Sequence, residues 1–163
     1  MIPGLVLQTD SPNQHIRGWG CFYSTLCAMV QDYISHVFTA RELADFFSVC
    51  VSRGWIRDNN VPTTAPEDQW WRAFVLDAEN VMEYLALKAG KKCSAGLLYS
   101  GVKSFPPPAA NYTQIEWTTK SGSHFTLGHL NGDGTIQNLY DPGPVFPRSL
   151  PIKSVRHWRL YAD

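Results

Sequence analysis

The stretch SGSHFTLGHLNGDGTIQNLYDPGP, residues 121–144, decides how the second half of this chain must be read. Two runs rich in β-branched and aromatic residues, SHFTLGHL and TIQNLYD, flank NGDG, and its Gly132-Asp133 pair suits a tight two-residue turn between Asn131 and Gly134. Counting back equally from that turn sets His129 against Ile136 and His124 against Asp141. Opposed Cβ atoms in such a pair lie about 4.5–5.5 Å apart, near enough for a carboxylate to hold an imidazole in one tautomer. The hairpin predicts a histidine oriented by an acid, with His129 pointing to the other face as a structural residue.

Three more strand-like runs surround the hairpin: AGLLYSG (95–101), YTQIEWTTK (112–120) and SVRHWRLY (154–161). FPPPAANY (105–112) is a proline-rich, extended surface connection. The first half reads differently. Thr39 and Glu42 match a capping box, predicting a helix that runs to about Ser52 and stops before Gly54. After the loop RDNNVPTTAPED, Glu67 to Phe74 reads as a short helix. Asp77 caps another, AENVMEYLALKAG, which ends at Gly90. Helices first and strands later define an α+β chain, helices packed on a C-terminal antiparallel sheet, with residues 1–163 as one domain.

An imidazole with an orienting acid calls for a nucleophile, and RGWGCFYSTLCAMVQDY (17–33) offers one. A polar, glycine-punctuated loop precedes Cys21, and a mostly apolar helix follows from Phe22 to Tyr33. A helix start presents unpaired N–H groups and the positive end of the helix dipole, and both favour a thiolate. Cys21, His124 and Asp141 thus make nucleophile, base and orienter. One oxyanion donor is the Cys21 backbone N–H; the second is a side-chain amide. Cys27, Cys50 and Cys93 fall in no motif and read as packing residues. His15 stands near Cys21 in the chain without an assigned role, and Trp19, Trp70 and Trp71 read as groove walls or core.

Composition narrows the function classes. Fourteen Lys and Arg balance fourteen Asp and Glu, which leaves no basic surface for nucleic acid as the main partner. No segment approaches the roughly 20 apolar residues of a membrane span. The N-terminus lacks a basic n-region, so a cytoplasmic chain with reduced cysteines is expected. The four cysteines contain no C-x-x-C, which argues against a zinc or thioredoxin-type site, and no cofactor is expected.

LVLQTD (5–10) and GCFYSTLCAMV (20–30), followed far downstream by HFTLGHLNGDGTIQNLYDPGP, resemble the papain-like cysteine peptidases and, within them, the C39-like group with its small phage and bacterial members. The resemblance implies a papain-like fold and a Cys-His-Asp peptidase acting on a peptide or peptide-like substrate. It places Gln8, from the Gln-x-Asp stretch, as the oxyanion-hole amide beside Cys21, His124 and Asp141. Gln14 is closer to the spacing of papain itself, and the SPN between the two allows either to fold back. The papain surround C-G-S-C-W is absent, so no substrate preference carries over. A phage-type peptidoglycan amidase or endopeptidase, an acyltransferase, and a non-enzymatic binding module on the same fold stay open as alternatives.

Overall fold

The computed structural model describes residues 2–62, 64–102, 105–119, 122–131, 133, 135–143 and 151–162. They form a mixed α+β structure with four helices: α1 Gln14–Trp19, α2 Cys21–Ile34, α3 Ala40–Ser52 and α4 Ala78–Lys88. A two-stranded antiparallel ribbon pairs β1 Ile56–Arg57 with β2 Phe74–Val75. The main sheet holds β3 Ser94–Gly101, β4 Tyr112–Thr119, β5 Gly122–Leu130, β6 Ile136–Tyr140 and β7 Ile152–Tyr161. Its order is β3-β7-β4-β5-β6, every pair antiparallel, so the last strand enters the sheet between the first two.

The capping signals place their helices as expected. Thr39 Oγ1 accepts from the Glu42 N–H at 3.1 Å while the Glu42 carboxylate accepts from the Thr39 N–H at 3.0 Å. Asp77 accepts from the Asn80 N–H at 3.0 Å and opens α4. Two expectations need correction. The run before Cys21 is not loop: Asn13 accepts the N–H groups of His15 and Ile16 and starts α1 there, an N-cap inside SPNQ that the neighbouring glycines obscured. Nor is Glu67 to Phe74 a helix. It holds only a 3-10 turn, Glu67–Gln69, and then enters β2.

Helix α2 is the axis of the core. Tyr23 to Gln31 is buried without a break, between α3 and α4 on one side and the sheet on the other. Residues 22, 25 and 32 fall on one helical stripe and meet the sheet in turn. Phe22 stands edge-on to Phe125 of β5 at 4.9 Å between centroids. Gln114 of β4 donates to Thr25 Oγ1 at 2.7 Å and accepts from the Trp158 indole at 2.7 Å. Tyr112 donates to Asp32 at 2.7 Å. A buried polar chain whose donors and acceptors are all met specifies one seating of the helix, because any slip orphans groups at about 1–3 kcal/mol each. The seating of α2 on the sheet is therefore fixed at its first turn, where Cys21 lies. Among the described residues no helix is long and apolar enough to cross a membrane.

Candidate active site

Gly20 explains how a second helix can begin one residue after the first ends. A Cβ at Gly20 would stand 2.6 Å from the Ile16 carbonyl oxygen and 2.7 Å from its Cα, so only glycine permits the joint. Cys21 is the first residue of α2, where a helix's N–H groups have no intrahelical partner. In an unbroken helix the Arg17 carbonyl would take the Cys21 N–H. Here Arg17 O accepts the Gln8 side-chain amide at 2.9 Å instead.

Gln8 reaches that point because its own segment is tied down. Asp10 accepts from the Leu7 N–H at 3.0 Å and shapes the 3-10 turn Gln8–Asp10, which gives the Gln-x-Asp spacing a physical role. The Gln8 N–H donates to Pro142 O at 3.0 Å, and the Tyr140 hydroxyl donates to Val6 O at 2.9 Å. The N-terminal segment therefore lies along residues 140–142, next to Asp141. Gln14 opens α1 and lines a different pocket with His15 and Trp19.

The hairpin pairs differently from the expected register. Leu130 faces Ile136, and His129 faces Gln137 rather than Ile136. The Asn131 N–H donates to Thr135 O at 3.0 Å, so the loop spans three residues, of which Gly132 and Gly134 lie outside the described residues. The Asp133 carboxylate accepts both the Thr135 N–H at 3.0 Å and its hydroxyl at 2.6 Å, a local bond that competes with the two-residue turn. A second shift follows: Gly128 faces Asn138 but Leu127 faces Tyr140, leaving Leu139 as an extra residue.

Each shift alone would send His124 and Asp141 to opposite faces; the two together restore the face. Counted on from the Leu127–Tyr140 pair past the end of β6, that register sets Asp141 diagonal to His124 instead of directly across. The side chains meet all the same. His124 Nε2 lies 2.7 Å from Asp141 Oδ1, which also accepts the Gly143 N–H at 2.9 Å. A Cβ at Gly143 would stand 3.3 Å from His124 Cε1, so the glycine leaves the ring room to lean over to the acid. Gly143 and Pro142 were the members of the site that the residue pattern did not assign. The DPG run was their only signal.

The Cys21 thiol is near enough to the His124 ring to act on its protonation. Burial disfavours the charged imidazole, but hydrogen bonds to Asp141 and Cys21, and their negative charge, outweigh it and raise the His124 pKa to about 9. A protonated imidazole held against a half-buried cysteine can exchange a proton with it and with a third group. The remaining cysteines sit elsewhere. Burial pushes Cys27 far up and Cys50 up to about 12, as packing residues require. His129 packs its ring against Tyr112 at 5.2 Å.

His15 belongs to a second histidine–carboxylate pair: its Nδ1 lies 2.7 and 2.8 Å from the two oxygens of Asp58. Trp70 and Trp71 are exposed, Trp71 beneath the Arg57 guanidinium at 4.4 Å. Among the described residues no group of three His, Cys, Asp or Glu stands as a metal site would require. No family model, no curated protein and no solved structure matches the chain.

Proposed function

We propose that the chain is a cysteine hydrolase on a papain-like fold, a peptidase that cleaves amide bonds with Cys21, His124 and Asp141 as catalytic residues. One observation carries the reading: a cysteine at a helix start acts on an imidazole that a carboxylate holds through Nε2. A protonated imidazole beside a thiol favours the thiolate. Cys21 Sγ attacks the carbonyl carbon of a peptide-like substrate, and the oxyanion forms between the Cys21 N–H and the Gln8 amide, whose nitrogen carries a second hydrogen beside the one given to Arg17 O. His124 gives its proton to the leaving nitrogen as the C–N bond breaks, leaving a thioester on Cys21. Water then attacks the thioester carbon, His124 takes the water's proton, and the C–S bond breaks to release the acid product and restore the Cys21 thiolate beside the protonated His124.

New α-amines counted by mass spectrometry after incubation with a proteome-derived peptide mixture test the reading. The wild-type chain should release them and Cys21→Ala should not. Release from purified cell-wall stem peptides alone would narrow the substrate to peptidoglycan. Acyl transfer to an added amine without net hydrolysis would make the chain an acyltransferase. No turnover on either mixture would favour a binding module.

A further inference from the structure

A pocket of about 370 Å³ is lined by Gln14, His15, Trp19, Asn60 and Arg72. Trp19 precedes Cys21 by two residues, so their Cα atoms are at most about 7.6 Å apart. We propose that this pocket is a carboxylate-binding subsite, with Arg72 as its anchor, which selects peptides carrying an acidic group near the scissile bond. The proposal deepens the hydrolase reading and rests on it for the word substrate; the binding itself does not.

Three observations support it. The first is preorganisation. The Arg72 guanidinium carbon lies over the Trp19 ring, 4.6 Å from its centroid, and the group donates to Val61 O. A cation fixed in this way loses little side-chain entropy when it meets an anion. The second is incomplete satisfaction, since Arg72 Nε is buried with no hydrogen-bond partner among the described residues. Native guanidinium groups seldom leave donors unmet without a functional reason.

The third is the charge of the wall. Among the described residues the lining side chains are a guanidinium, two amides, an indole and an imidazole, with no carboxylate. Asp58 stands behind His15, bound to Nδ1 and to the Ala73 N–H at 3.1 Å, and so is committed to the scaffold. His15 is only 8% exposed and held by both Asp58 oxygens, while Trp19 is 48% exposed at the mouth. The pocket has a rigid floor, an open aromatic rim and one permanent positive charge. A ligand carboxylate suits it better than an amide or an ammonium, because a guanidinium fork matches two carboxylate oxygens.

The test is an NMR titration of the full chain, following the Trp19 indole N–H. Four peptides are used: acetyl-Ala-Glu-Ala-amide, its Gln and Lys counterparts, and acetyl-Ala-Ala-Ala with a free C-terminal carboxylate. The Glu or the free-carboxylate peptide should bind about tenfold more tightly than the Gln peptide, and which of the two does so separates a side-chain from a terminal acid. Arg72→Gln should bring all four peptides to similar affinity. Asn60→Asp, at an exposed position that leaves the fold intact, should turn the preference toward the Lys peptide. Equal binding of all four peptides by the wild-type chain, or a preference unmoved by either variant, overturns the subsite. Because the readout needs no turnover, Cys21→Ala should titrate like the wild type, so a failure of hydrolysis and a failure of the subsite are told apart.

Discussion

Two histidine–carboxylate pairs lie among the described residues, and each has its shortest N···O distance at 2.7 Å. His124 uses Nε2 and a single oxygen of Asp141, whose Oδ1 it shares with the Gly143 N–H. His15 uses Nδ1 and both oxygens of Asp58, and the Ala73 N–H completes that acid. The contrast lies in the third partner. His124 is acted on by the Cys21 thiol at the start of a helix, whereas His15 meets the edge of Trp19 with ring centroids 6.2 Å apart. A short histidine–carboxylate bond is therefore not itself a sign of catalysis. The second pair ties α1 to the segment that follows β1, and the first leaves its imidazole beside Cys21, the arrangement on which the proposed hydrolase rests.

The contrast breaks most sharply if the two acids are removed in turn. Asp141→Ala should lower kcat by about 10²–10⁴-fold, since orientation and charge support of the imidazole are lost while the reacting groups remain. Asp58→Ala should cost far less in kcat and appear chiefly as lost stability of about 1–3 kcal/mol, from the unmet Ala73 N–H and His15 N–H. In a chain of this size that is a fall in Tm of roughly 3–10 °C. Steady-state kinetics and calorimetry on the two variants read both effects. Equal kinetic penalties would erase the distinction between the pairs.

A smaller effect sits at the joint between the helices that carry His15 and Cys21. Gly20→Ala must push against the Ile16 backbone, so we expect about 1–3 kcal/mol of destabilisation and a loss of turnover as Cys21 moves. Gly18, one turn-half earlier, has open space around it, and Gly18→Ala should raise stability by about 0.5–1 kcal/mol. Thermal unfolding of both variants checks the pair, and a Gly20→Ala chain as stable as Gly18→Ala would remove the argument that the joint requires glycine.

The smallest expected effect is a drift with pH. His124 is raised from 6.5 to about 9 in the folded chain, because the bonds to Asp141 and Cys21 overcome burial. The stability it contributes is full below about pH 6.5, where the imidazole is charged in folded and unfolded chains alike, and is lost as pH rises through about 9. Its ring should titrate near 9 by NMR and move toward 6.5 in Asp141→Ala. A wild-type ring titrating near 6.5 would show that the pair does not hold the proton.

The five strands of the main sheet and both capped helices were legible in the residue pattern because periodicity and capping are local, whereas the short β1–β2 ribbon was not. What was not legible depended on competition between local bonds. The two-residue turn lost to the Asp133–Thr135 bonds, and the extra residue at Leu139 had no mark in the sequence. His124 and Asp141 were expected to face each other from a register that does not occur, and they meet because two one-residue shifts compensate. Asn13 announced α1, but the glycines at 18 and 20 read as loop. The second pair was out of reach altogether, since nothing in the order of residues tells His15 that Asp58 will fold back onto it.

The most direct measurement of the central claim is the alkylation rate of each cysteine in the folded chain with iodoacetamide from pH 5 to 9, mapped by mass spectrometry. The account predicts that Cys21 reacts at least about tenfold faster than Cys27, Cys50 or Cys93 near neutral pH, stays ahead on the acid side, and loses that lead in His124→Ala. Four cysteines reacting at one rate, or a Cys21 rate indifferent to the loss of His124, would contradict it.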